Sequence, residues 1–155
     1  MNTYKIALFG HRDICAHKAI EKSLRSLLGG LMREKMHLQI YIGRDGEFDI
    51  FAASVVKQIQ EALGKESSEM ILVLPYKRKD IEYLDEYYDS VIIPDCLCNL
   101  HPKSAISRRN RWMVEICDLI IGYIENSVGG AYAAVKYAKK LNKPLINLAD
   151  QACDE

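Results

Sequence analysis

Two adjacent glycines in ENSVGGAYAA, residues 125–134, follow an apolar run and open an Ala/Lys-rich segment. With no Cβ at Gly129 and Gly130, a phosphate can approach backbone N–H groups and the positive end of a helix starting there. Asn126 or Ser127 is placed to cap that helix. Ala131, Ala133 and Ala134 keep its first turn slim. The pair suits a plain strand-to-helix turn equally well, because it lacks the full fingerprint of a dinucleotide loop.

Three further stretches carry comparable chemistry. GHRD, residues 10–13, sets Gly10, His11 and Arg12 directly after an apolar run, where the His–Arg pair meets either an anion or solvent. GRDGEFD, residues 43–49, starts at Gly43 and offers Asp45 and Glu47 to a ribose hydroxyl; Asp49 reads as the N-cap of the next helix, which leaves Asp45 and Glu47 the freer groups. SRRNR, residues 107–111, brings Arg109 and Asn110 near a helix start, with Arg108 and Arg111 solvated. Trp112 reads as a packing residue.

Other chemistries find no carrier in the sequence. CLCNLH, with Cys96, Cys98 and His101, lacks the paired spacing of a zinc site, so no metal site is expected. There is no G-x-S-x-G elbow, no H-E-x-x-H and no glycine loop ending in G-K-[ST], so serine hydrolase, metalloprotease and P-loop kinase readings have no support.

The groups on these stretches are positioned by an alternation of strands and helices. Short continuous apolar runs predict strands over 4–10, 38–43, 69–75, 90–94, 118–124 and 143–148. The first intervening helix carries Ile20, Leu24, Leu27, Leu28 and Leu31 on one face, with Gly29 and Gly30 set to end or loosen it. The second turns Phe51, Val55, Ile59 and Leu63 inward. A short helix is expected over 80–88. Another over 103–117 turns Ile106, Met113, Ile116 and Cys117 to the core, with Pro102 in its first turn. The last opens at the glycine pair. This pattern predicts an α/β fold: a three-layer, Rossmann-like, open and mainly parallel sheet with helices on both faces. One domain would span residues 1–155, with a core over 4–148 and a polar, frayed tail. Ligands of such sheets sit beyond the carboxyl ends of the strands, and all four stretches fall on that rim.

Bulk properties agree. A chain of 155 residues is long enough for one domain with its own core. Apolar residues at 49% and charged residues at 27% exclude a disordered composition. Lys plus Arg and Asp plus Glu stand at 21 each, so no global charge draws the chain to nucleic acid, which is not expected as a partner, or to a membrane. No apolar run approaches the ~20 residues of a transmembrane helix, and the start lacks a signal-peptide pattern. The five cysteines, an odd number without staple-like spacing, read as free thiols in a reducing cytoplasm.

FGHRD, YIGRDGEFD, LVLPY, RRNRWMVEICDLIIGYI and GGAYAAVKYAKKLNKPLINL together resemble the SLOG superfamily, named for the Smf/DprA and LOG proteins. The chain is most similar to its small stand-alone bacterial branch related to YpsA, over residues 4–148. The resemblance implies a Rossmann-like fold, a nucleotide-derived ligand such as ADP-ribose or NAD at the glycine-lined rim, and a homodimer; it supplies no established reaction. The LOG enzymes of the superfamily cleave nucleoside monophosphates at the N-glycosidic bond with an Arg-Lys helix motif and a PGGxGTxxE motif. Arg109 matches that arginine, Asn110 stands where lysine is usual, and Met113 and Asp118 fit. Gly129 and Gly130 match the glycine pair. Val128 then replaces the proline, Tyr132 the third glycine, Ala133 the threonine and Lys136 the glutamate. A lysine cannot act as that carboxylate.

Three functions follow. The first is binding or sensing of a nucleotide derivative through Gly10, His11, Arg12, Gly43, Asp45, Glu47, Arg109, Asn110, Asn126, Gly129, Gly130 and Ala131. The second is a nucleotide N-glycosidase in which Glu47 or Glu125 (or Asp45) supplies the missing carboxylate. The third, by analogy with the Smf/DprA branch, is a DNA-associated or protein-interaction module.

Overall fold

Six apolar runs form the strands of one sheet in a computed structural model that describes residues 3–34 and 37–152. They are β1 (Thr3–Gly10), β2 (His37–Ile42), β3 (Ser68–Val73), β4 (Ser90–Ile92), β5 (Leu119–Tyr123) and β6 (Leu145–Asn147). Every pairing is parallel, in the order β4-β3-β2-β1-β5-β6. Parallel neighbours need crossovers, which helices supply here. These are α1 (His17–Arg33), α2 (Glu47–Leu63), α3 (Ile81–Tyr87), α4 (Pro102–Ile116) and α5 (Gly130–Lys140); α6 (Leu148–Ala152) follows β6.

Alternating Cβ directions divide each strand between two cores. Ile6 and Leu8 pack with Ile20, Leu24 and Leu28 of α1 and Phe48 and Val56 of α2. Ala7 and Phe9 pack with Met113 and Val114 of α4 and Ala134 and Ala138 of α5. The result is the open, three-layer, Rossmann-like arrangement expected. No helix among the described residues is long and apolar enough to cross a membrane.

Two expectations change. Gly29 and Gly30 neither end nor break α1, which runs on to Arg33. Leu24, Leu28 and Met32 form a buried stripe across them, and that burial exceeds the roughly 1 kcal/mol each glycine withdraws from a helix. The tail is helical over Leu148–Ala152, because Leu148 and Ala149 are buried; residues 153–155, with Cys153, lie outside the described residues. The chain steps outward from β1 to β4 and then returns to the other side of β1 with β5. That reversal is a topological switch point, where the crossovers leave in opposite directions and open a crevice.

Candidate functional site

A cavity of about 370 Å³ occupies this crevice. Four parts of the chain line it: residues 8–13 at the end of β1; Gly43, Asp45, Gly46 and Asp49 after β2; Ile106, Arg109 and Asn110 on α4; and Asn126, Gly129, Gly130 and Ala131 after β5. Of the residues read from the sequence as ligand-binding, all but Glu47 are brought together here.

The start of α5 faces this space. Gly129 is its N-cap, at φ +96°, with open space where a Cβ would stand. That left-handed conformation suits glycine. Asn126 and Ser127 do not cap the helix, contrary to expectation: no side chain does, because the positive-φ turn puts Gly129 at that position. Ala133 N–H bonds to the Gly129 carbonyl at 3.1 Å. Among the described residues no protein acceptor meets the N–H of Gly130 or Ala131. The start of α2 on the same rim is closed instead. Glu47 N–H donates to the Arg12 carbonyl at 2.8 Å, and Phe48 N–H to the His11 carbonyl at 3.4 Å. This contact holds the backbones so close that a Cβ on Gly46 would lie 2.6 Å from Arg12 Cα.

His11 ties two loops together. Its Nε2 accepts the N–H of Glu125 at 2.9 Å and of Asn126 at 3.1 Å, so this nitrogen carries no proton in the arrangement. Asn147 fixes the end of β5 by accepting Ile124 N–H at 3.0 Å and donating to the Ile124 carbonyl at 3.0 Å. Glu125 accepts from the Tyr123 hydroxyl and lines a separate depression with Tyr132 and Lys136. Glu47 pairs with His17 at 2.8 Å, half-exposed, beside another depression. Neither glutamate lines the cavity.

Arg109 is not near a helix start. With α4 beginning at Pro102 it stands two turns in, only 1% exposed. Its Nη1 donates to the Val73 carbonyl at 2.8 Å, its Nε to Asn110 Oδ1 at 2.8 Å, and its Nη2 to Asp45. Asp45 is therefore engaged rather than free. Asp49 is not an N-cap either: α2 starts at Glu47 after Gly46, because the His11 and Arg12 carbonyls meet its first amides. Asp49 reaches back instead, accepting Asp45 N–H at 3.1 Å. Gly43 admits both groups, since a Cβ there would lie 3.1 Å from Arg109 Nη1 and 3.2 Å from Asp49 Oδ2.

Arg109 pairs with Asp45, and Asp49 lies within reach of its charge. Burial pushes the Asp49 carboxyl up from 3.8 to about 7; the Asp45 N–H opposes this, the Asp45 charge adds to it and Arg109 opposes it. The folded protein therefore holds this proton over a pH range where the unfolded chain releases it. The resulting stability is full below about pH 4 and is lost as pH rises to about 7. Asp49→Asn keeps an oxygen acceptor and removes the charge. We expect the variant to be more stable than the parent at pH 8, by on the order of 1–3 kcal/mol, and equal to it near pH 4. Urea unfolding at both pH values checks this; a constant difference between the proteins counts against it.

Sequence reasoning missed Asp49, Asp13, Gly46 and Ile106 as cavity residues. The available signal was position after a strand, which holds for the first three. Asp118, matched to the LOG pattern, lies at the other end of the sheet and accepts Lys5 N–H at 2.9 Å. His101 caps α4 by accepting Lys103 N–H at 3.3 Å. No group of three or more His, Cys, Asp or Glu suited to a metal occurs among the described residues. Trp112 packs edge-on against Tyr41.

No family model matches the chain, and no curated protein matches it. Solved structures do. DNA processing protein A (DprA) of Streptococcus pneumoniae superposes with a TM-score of 0.68 at 19% identity over 98% of this chain, which spans 55% of that protein's length. DNA processing protein A of Helicobacter pylori, which binds single-stranded DNA, gives 0.59 at 18% over 97% of this chain and 72% of its own. The Moco carrier protein of Chlamydomonas rheinhardtii gives 0.58 at 16% over 96% of this chain and 77% of its own. At such identities the likeness is one of architecture, and by it the chain has a fold of the SLOG type.

Proposed function

We propose that the cavity binds a phosphorylated nucleotide derivative such as ADP-ribose or NAD, with a phosphate on the open start of α5, and that the protein is a binding or sensing module. The observation that carries this reading is the pair of amides at Gly130 and Ala131. They have no protein acceptor among the described residues and line a cavity at the sheet's switch point. Unmet N–H groups at a helix start attract anions. Arg12, exposed on the rim, adds positive charge. Binding is favoured over turnover because Glu47 and Glu125 are engaged elsewhere and Lys136 occupies the position of the LOG glutamate. A homodimer, carried by the resemblance alone, and a cytoplasmic location, supported by free thiols at Cys15, Cys96, Cys98 and Cys117, complete the proposal.

Gly130→Ala tests the cradle. A Cβ there would lie 3.6 Å from Asn110 Nδ2, an ordinary contact, so the fold should keep its stability. The methyl stands on the cavity wall beside the amides. We expect millimolar AMP or ADP-ribose to raise the Tm of the parent protein, adenosine to leave it unchanged, and Gly130→Ala to lose at least about tenfold in affinity, roughly 1.4 kcal/mol. Absence of stabilisation by every phosphorylated nucleoside sinks the proposal.

Single-stranded DNA is a second reading, supported by the fold likeness to the Helicobacter pylori protein. A phosphodiester would meet the same amides. Oligodeoxynucleotide binding that falls steeply with salt would favour it over a free nucleotide.

A further inference from the structure

A second depression, of about 610 Å³, adjoins the cavity and shares Asp45 and Gly46 with it. Its character is different. Ile50, Phe51 and Tyr87 give it an apolar floor, and Arg44 stands on its rim. Ile50 is 50% exposed, although it is a large aliphatic residue on a helix with a well-formed buried face. Arg44 is held in place, donating to the Tyr88 hydroxyl at 3.0 Å with its guanidinium 5.9 Å from that ring's centre. The His17 ring braces Phe51 edge-on at 4.9 Å.

The groups form an ordered series. Open amides at the start of α5 suit a phosphate. Asp45, shared by the two spaces, meets Arg109 through Oδ2 and turns Oδ1 to a sugar hydroxyl. Beyond it, an apolar floor with aromatic side chains suits a flat ring. Phosphate, sugar and ring is the order of groups in a nucleotide.

We infer that the depression floored by Ile50, Phe51 and Tyr87 is the ring-binding subsite for the ligand whose phosphate lies on α5, so that the ligand class is a base-bearing nucleotide rather than a sugar phosphate. This rests on the phosphate reading above. The continuity through Asp45 and Gly46 assigns the occupant to the ligand rather than to a second copy of the chain. Arg44 and Ser54 are among the polar residues that line the depression.

The test uses Ile50→Glu, at a half-exposed position where the fold tolerates a charge, with AMP and ribose 5-phosphate as probes in calorimetry. The expected result is that AMP binds the parent protein at least about tenfold more tightly than ribose 5-phosphate. Ile50→Glu should remove most of that difference, leave ribose 5-phosphate binding unchanged and keep the Tm within about 2 °C. Equal affinity of the two probes for the parent overturns the inference and leaves the phosphate reading standing. Failure of both probes to bind overturns the two together. A change of oligomeric state in Ile50→Glu by light scattering, with AMP binding intact, assigns the depression to a contact between copies and also overturns the inference.

Discussion

Arg109→Ala should unfold at much lower urea concentration than the parent, with a loss of about 3–5 kcal/mol. The guanidinium is 1% exposed and links three parts of the chain: β3 through the Val73 carbonyl, the β2–α2 loop through Asp45, and its own helix through Asn110. Truncation leaves a buried carbonyl without a donor and a carboxylate without its cation, each expensive in a water-poor setting. It also removes the wall between the cavity and the core. Arg109→Lys keeps the charge but not the planar fork, so one ammonium cannot meet three diverging acceptors; it should recover less than half of the loss. Circular dichroism in urea reads both variants. A loss below about 1 kcal/mol for Arg109→Ala would show that the linkage is dispensable.

Gly10→Ala should be nearly as damaging, for a steric reason. A Cβ at this position would stand 2.1 Å from Phe48 Cγ and 2.6 Å from Phe48 Cβ. The overlap is with the root of the ring, so rotation about χ2 cannot relieve it. Phe48 is also backed by Tyr123, stacked at 6.4 Å between centroids. Either α2 or the end of β1 must move. Overpacking of this kind costs about 1–3 kcal/mol or more, and we expect the upper end. The diagnostic is a double-mutant cycle with Phe48→Ala. Because the added methyl enters space the ring has vacated, the double variant should be less destabilised than the sum of the singles by at least about 1 kcal/mol. Strict additivity would refute the steric account.

The fold was legible because its signals are local. Runs such as KIALF and MILVL are continuous rather than alternating, and only a sheet covered on both faces buries both sides of such a strand. Gly10 and Gly43 were legible from their place after apolar runs, and at both another residue's side chain comes close; Gly46, against Arg12, was not. Partnerships between distant residues were not legible. Nothing near Asp49 in sequence reveals that the His11 and Arg12 carbonyls cap α2, which displaces Asp49 from the capping role. Nothing near Asp45 reveals Arg109, 64 residues on. The sequence leaves His11 to meet either an anion or solvent and gives no sign that its ring nitrogen accepts amides 114 and 115 residues away. Gly29 and Gly30 misled for the opposite reason, because a local helix penalty was overridden by burial around them.

The cavity draws its walls from the end of β1, the segment after β2, the middle of α4 and the loop after β5. No two of these are neighbours along the chain, and the sheet that aligns them contains only parallel, long-range pairings. Such pairings form late, after large loops have closed. The cavity is therefore complete only when all four segments are in place. A ligand bound there would restrain the segments that line it against local opening.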